Sequence, residues 1–247
     1  MKKLFVILSL VILPFTFSSC HILQSGASGP SQDEIISGLK EALSISTDTS
    51  VVNLNRANGY FGNAAIKILL PPEAQKVEST LRSIPGVGNA LVDELILKMN
   101  KAAEQAAIKA GPIFKDAIMK ITFQDVMNIL NGPDDAATQY LKKTTLPQLQ
   151  SAFQPPIEDA LNSVGAQQAW SKVMTTYNNY NNFIPGTTDI PDNLASHVTQ
   201  KALDGLFMIV AQEEAKIRKN LNHQVTDLLK KVFGPKQNGG STFPWGN

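Results

Sequence analysis

A single cysteine, three histidines and almost no charge imbalance bound what this chain of 247 residues can do. Cys20 has no second cysteine to pair with, so no intramolecular disulfide forms and packing alone must stabilise the body. Basic and acidic residues number 22 and 21, and no basic stripe of the kind that marks a nucleic-acid binder is visible. Aromatics make up only 7% of the chain, while alanine and leucine are plentiful, which disfavours a β-sandwich. His21, His197 and His223 lack a second histidine or cysteine at i+3 or i+4, and neither a metal site nor a cofactor is expected. The G-x-S-x-G elbow, the Walker A loop and the G-x-G-x-x-G turn are all missing. Carboxylate chemistry such as glycoside hydrolysis stays open to an enzyme, because paired acids need just a suitable separation in space.

What is present begins at the N-terminus. Lys2 and Lys3 precede an apolar run from Leu4 to Phe17, followed by Ser18, Ser19 and Cys20. That is the order of a secretory signal, and its end resembles a relaxed lipobox, with residues 1–19 as the signal peptide and Cys20 as the lipidation site. The apolar run is shorter than the roughly 18–20 residues a membrane span needs. Residues 20–30 are small and Gly/Ser-rich, the composition of a flexible tether. The expected partners are the membrane, through lipidated Cys20, and an envelope protein or apolar ligand. His21 rather than aspartate follows the cysteine, which by the enteric sorting rule favours the outer membrane, and no acidic run follows Cys20, which favours the periplasmic face.

Helical punctuation dominates residues 31–234, predicting an all-α, multi-helix bundle as one domain. Ser31 and Glu34 form a capping-box pattern, and Thr122 with Asp125 forms a second. Pro71-Pro72 should open a helix, a long helix should cover 89–110, and Gly111-Pro112 should stop it. Further helices are expected over 134–143, 147–164, 166–181, 192–220 and 222–233. A short strand or extended segment near 65–70 (AIKILL) is the one exception. Residues 235–247 are Gly/Asn/Pro-rich and should fray as a disordered tail.

Two of these helices carry polar residues on apolar stripes. At about 100° per residue, Leu203, Phe207, Val210, Ile217 and Leu221 share a stripe with Glu214 in its middle. A buried lone charge is costly, and Arg218 at i+4 is the nearest candidate partner. On the long helix, Leu91, Leu95, Met99, Ala102 and Ala106 form one face, and Leu97, Asn100, Glu104 and Ile108 form another. The pattern predicts one buried network of Asn100, Glu104, Glu214 and Arg218 between two packed helices. An enzyme on this chain would use Glu104 or Glu214 as general acid or base.

These stretches resemble the family known as domain of unknown function 4197. The resemblance rests on residues 99–107 (MNKAAEQAA), 113–125 (IFKDAIMKITFQD), 129–140 (ILNGPDDAATQY), 198–220 (VTQKALDGLFMIVAQEEAKIRKN) and 226–234 (TDLLKKVFG). It spans about 35–234. Lys101, Leu141-Lys142 and Leu221 depart from the family's arginine, Phe-Arg and proline. The resemblance implies a mostly helical, exported or membrane-anchored bacterial protein, and it attaches no reaction.

One further motif belongs to another class. Residues 81–90 (LRSIPGVGNA) resemble a helix-hairpin-helix turn, in which amides around Gly86, Val87 and Gly88 would hold an anion. Asp93 and Glu94 follow at once, and export separates the chain from nucleic acid. The expectation is a non-enzymatic, lipid-anchored binding or envelope-organising protein. An enzyme and a nucleic-acid binder are the alternatives.

Overall fold

A computed structural model describes residues 30–82, 88–163, 165–168, 170, 171, 193–219, 226, 227, 230 and 232. Seven α-helices appear there, and no strand occurs among the described residues. They are α1 (Gln32–Asn55), α2 (Gln75–Arg82), α3 (Gly88–Ala107), α4 (Ala110–Met119), α5 (Phe123–Leu130), α6 (Ala136–Ser163) and α7 (Leu194–Lys219). A 3-10 turn at Pro72–Ala74 leads into α2. The helix α7 packs on α1, α3 and α6, α3 packs on α1 and α6, and α4 lies against α1 and α6. One contiguous apolar cluster joins all seven helices.

Both capping boxes form. Ser31 Oγ accepts from the Glu34 amide while Glu34 reaches back to the Ser31 amide, and Thr122 and Asp125 do the same at α5. Two buried hydroxyls of α1 are satisfied by the helix's own backbone. Thr47 Oγ1 donates to the Leu43 carbonyl at 2.8 Å, and Ser50 Oγ to Ser46 at 2.6 Å.

Two expected breaks differ in the structure. Gly111-Pro112 does not stop α3; the chain turns at residues 108–109, and both residues lie in the first turn of α4. An amide there has no intrahelical acceptor, so proline forfeits nothing. The expected gap before Pro147 is also absent, because α6 runs through Pro147, Pro155 and Pro156. Leu141, Thr145, Leu149, Phe153, Ile157 and Leu161 recur every fourth residue and are all buried. Lys143 and Ser151, whose carbonyls lose partners to Pro147 and Pro155, are exposed to water. Burial of the stripe outweighs the lost bonds.

Between α1 and α2 the chain is irregular. Ile66, Ile68 and Leu70 are buried, Lys67 is half-buried and Leu69 is 55% exposed. A period of two is that of an extended chain. The AIKILL expectation holds as an extended segment over 67–70, without a paired strand.

Candidate functional site

The residues expected to form one polar network form two. Both lie in the core, with Asn100 fully buried and Glu104 and Glu214 5–6% exposed, but they share no hydrogen-bond partner. The division arises because Asn100 and Glu104 reach the irregular backbone between α1 and α2, whereas Glu214 and Arg218 reach backbone groups at the facing ends of α6 and α5.

The first cluster holds the segment that follows α1. Glu104 Oε1 accepts from the amides of Tyr60 at 3.1 Å and Phe61 at 3.2 Å, and Oε2 from Asn58 at 3.3 Å. Asn55 Nδ2 donates to the Glu104 carbonyl at 2.8 Å, tying the end of α1 to α3. Among the described residues Glu104 has no ionic partner, so oriented backbone donors compensate its charge. One turn earlier, Asn100 binds both backbone groups of Ile68: Oδ1 accepts its amide and Nδ2 donates to its carbonyl, each at 2.8 Å. Nδ2 also donates to Ile96, so the amide is fully used.

The turn between these clamps is tightly specified. Asn58 has φ of 62°, a left-handed value that asparagine tolerates. A Cβ on Gly59 would stand 2.3 Å from the Leu54 carbonyl oxygen, so only glycine fits. Tyr60 is fully buried and donates its hydroxyl to the Ala202 carbonyl on α7 at 2.8 Å. Burial, reinforced by the Glu104 charge, pushes its pKa far above the ordinary tyrosine value. Gly205 on α7 makes the close approach possible, since a Cβ there would lie 2.9 Å from Tyr60 Cε1.

The second cluster joins α5, α6 and α7. Glu214 accepts from the amides of Ala137 at 3.0 Å and Thr138 at 2.8 Å, and from Thr138 Oγ1 at 2.7 Å. It therefore caps the start of α6 from another helix. Arg218 donates to Glu214 at 2.9 Å, as its i+4 spacing predicts, and to the Ile129 carbonyl at 3.0 Å near the end of α5. One ion pair on α7 thus secures both sides of the α5–α6 junction. Lys219 pairs with Asp134 beside it, and that contact holds the Asp134 carboxyl below its ordinary pKa. The void against Glu214 is only about 10 Å³, room for at most a water molecule.

The remaining sequence candidates resolve differently. Glu213 points away from Glu214 and pairs with Lys216 at 2.6 Å. Ile108 is 52% exposed and Leu97 half-buried, so the second face of α3 is narrower than its sequence suggests. His197 Nε2 lies 2.9 Å from the Leu69 carbonyl. Lys142 lies 5.7 Å from the Phe207 ring centroid, and Lys101 is exposed. Cys20, His21, Gly86, Val87 and His223 lie outside the described residues, and Gly88 opens α3.

An open groove of about 510 Å³ runs between the extended segment and α7, with α2 at its end. Sequence reading missed it, because its walls meet only in the fold. Its available signals were the exposed Leu69 of AIKILL and Met208 on α7.

A family profile described as a protein of unknown function, DUF4197, matches residues 29–234. The chain belongs to DUF4197. The match covers every described helix and both polar clusters of this DUF4197 protein, confirming the resemblance read from its sequence. No curated protein and no solved structure matches the chain.

Proposed function

We propose that this DUF4197 protein is a lipid-anchored, periplasm-facing body that works by binding in the cell envelope, without catalysing a reaction. The observation that carries the reading is Cys20, the sole cysteine, placed directly after a charged start and an apolar run. Anchoring is then the job of Cys20, and the outer membrane is its address. No helix among the described residues is long and apolar enough to cross a membrane, so a lipid would be the attachment these residues do not otherwise supply.

The buried carboxylates support binding over catalysis. The oxygens of Glu104 and Glu214 are engaged by backbone amides, Thr138 and Arg218, all with structural jobs. A general acid or base must reach a substrate, and neither carboxylate lines the open groove.

Metabolic labelling with radioactive palmitate tests the anchor. The chain should take up label and partition with membranes, and Cys20→Ala should lose both properties. A full-length chain carrying a free Cys20 thiol in the soluble fraction would overturn the reading.

A further inference from the structure

The groove beside residues 67–70 has walls of a particular chemistry. In an extended chain, the amide and carbonyl of one residue point to one side and those of the next residue to the other. Asn100 takes both groups of Ile68, so Lys67 and Leu69 turn theirs away from α3. The Lys67 amide donates to Asn63 at 2.8 Å, and the Leu69 carbonyl meets His197. The Lys67 carbonyl and the Leu69 amide have no protein partner among the described residues. These are the acceptor and the donor that a strand lying opposite Ile68 uses, whichever way it runs.

The segment is also rigid enough to serve as a template. Ile66, Ile68 and Leu70 are buried on one side, and the Asn100 clamp fixes the register. Leu69 at 55% and Met208 at 43% exposure offer apolar contacts on the groove side. The groove volume of about 510 Å³ suits a few residues of peptide.

Charge narrows the occupant. Of the carboxylates lining the groove, Glu78 is bound by Arg82 at 2.8 Å, and Asp204 takes Gln200 at 3.2 Å with Lys201 3.9 Å away. Lys67 has no carboxylate partner among the described residues, and its ammonium rests 4.0 Å from the Phe61 ring centroid. The groove therefore offers an uncompensated positive charge beside an open backbone edge. An acyl chain would use the apolar contacts but neither the Lys67 carbonyl nor the Leu69 amide.

We propose that this groove takes an extended, acidic segment of a partner protein, added as a strand along residues 67–70. The proposal deepens the binding reading above and does not depend on the anchor. Its test is selection of random displayed dodecapeptides on the full chain in detergent micelles. Peptides alternating apolar residues around an acid should be enriched. Their affinity should fall at least tenfold with Met208→Glu or Lys67→Glu, in variants whose thermal unfolding matches the parent. Replacing the acid of the peptide by lysine should restore binding to Lys67→Glu, and alternate backbone N-methylation should abolish binding to the parent. Failure to enrich any peptide sensitive to Met208 and Lys67 overturns the proposal. Equal binding of the N-methylated peptide, or displacement of every peptide by palmitate alone, also overturns it. None of these results bears on palmitate labelling of Cys20, so the groove and the anchor fail separately.

Discussion

Glu104 recognises backbone rather than side chains. Its three amide donors belong to Asn58, Tyr60 and Phe61, so the turn keeps its shape whatever those side chains contribute elsewhere. Glu104→Ala leaves these donors without their acceptor and should cost on the order of 3 kcal/mol or more in urea unfolding. Glu104→Gln keeps one carbonyl oxygen but sets an amide nitrogen against an N–H, and should recover only part of that loss. Tyr60 makes a second residue-scale prediction. Its folded-state pKa is raised, so the native state keeps the phenolic proton that the unfolded chain releases near its ordinary value of 10.0. The contribution is complete below that pH and is lost as pH rises above it. Unfolding midpoints measured from pH 8 to 11 should therefore fall steeply above about pH 10, and Tyr60→Phe should remove this component of the slope.

At the scale of elements, the α5–α6 junction depends on a side chain from a distant part of the sequence. Glu214→Ala removes the acceptor for Ala137 and Thr138. Hydrogen exchange at those two amides should accelerate by at least tenfold, while exchange at Leu149 and Phe153 in mid-α6 should change little. Equal acceleration along α6 would show that the cap is global in effect. Local chemistry made two element starts legible: Ser31 and Thr122 act within a few residues of the ends they mark. Pro147 misled because a four-residue apolar stripe, completed only by its neighbours, overrides a local penalty. The polar residues were legible as buried, since Asn100, Glu104 and Glu214 sit on apolar stripes. Arg218 was legible as a partner from its i+4 spacing, but the others were not, because Ile68, Tyr60 and Ala137 present backbone groups that leave no trace in residue type.

For the whole molecule, the irregular segment between α1 and α2 acts as a wedge against two helices. Clamps on α3 hold it from one side, and the bare surface of Gly205 on α7 receives it from the other. Gly205→Ala places a methyl 2.9 Å from Tyr60 Cε1 and 3.2 Å from Ile66 Cβ. The overpacking should cost about 1–3 kcal/mol, visible as a lower Tm. Tyr60→Ala should partly relieve it, so a double-mutant cycle should give less than the sum of the two single losses. The groove lies beside the same contact, and its walls come from α2, the extended segment and α7.

The hydroxyl bond from Tyr60 to Ala202 spans 142 residues of chain, whereas the Tyr60 amide meets Glu104 after only 44. Closure of such a long loop is slow, and it waits until the distant segment is present. As the chain emerges from its N-terminus, the turn can settle on α3 well before α7 arrives to seal it. Until then the Tyr60 hydroxyl lacks its Ala202 acceptor and the ring lacks the Gly205 surface that covers it. Completing α7 is then what closes the Tyr60 site.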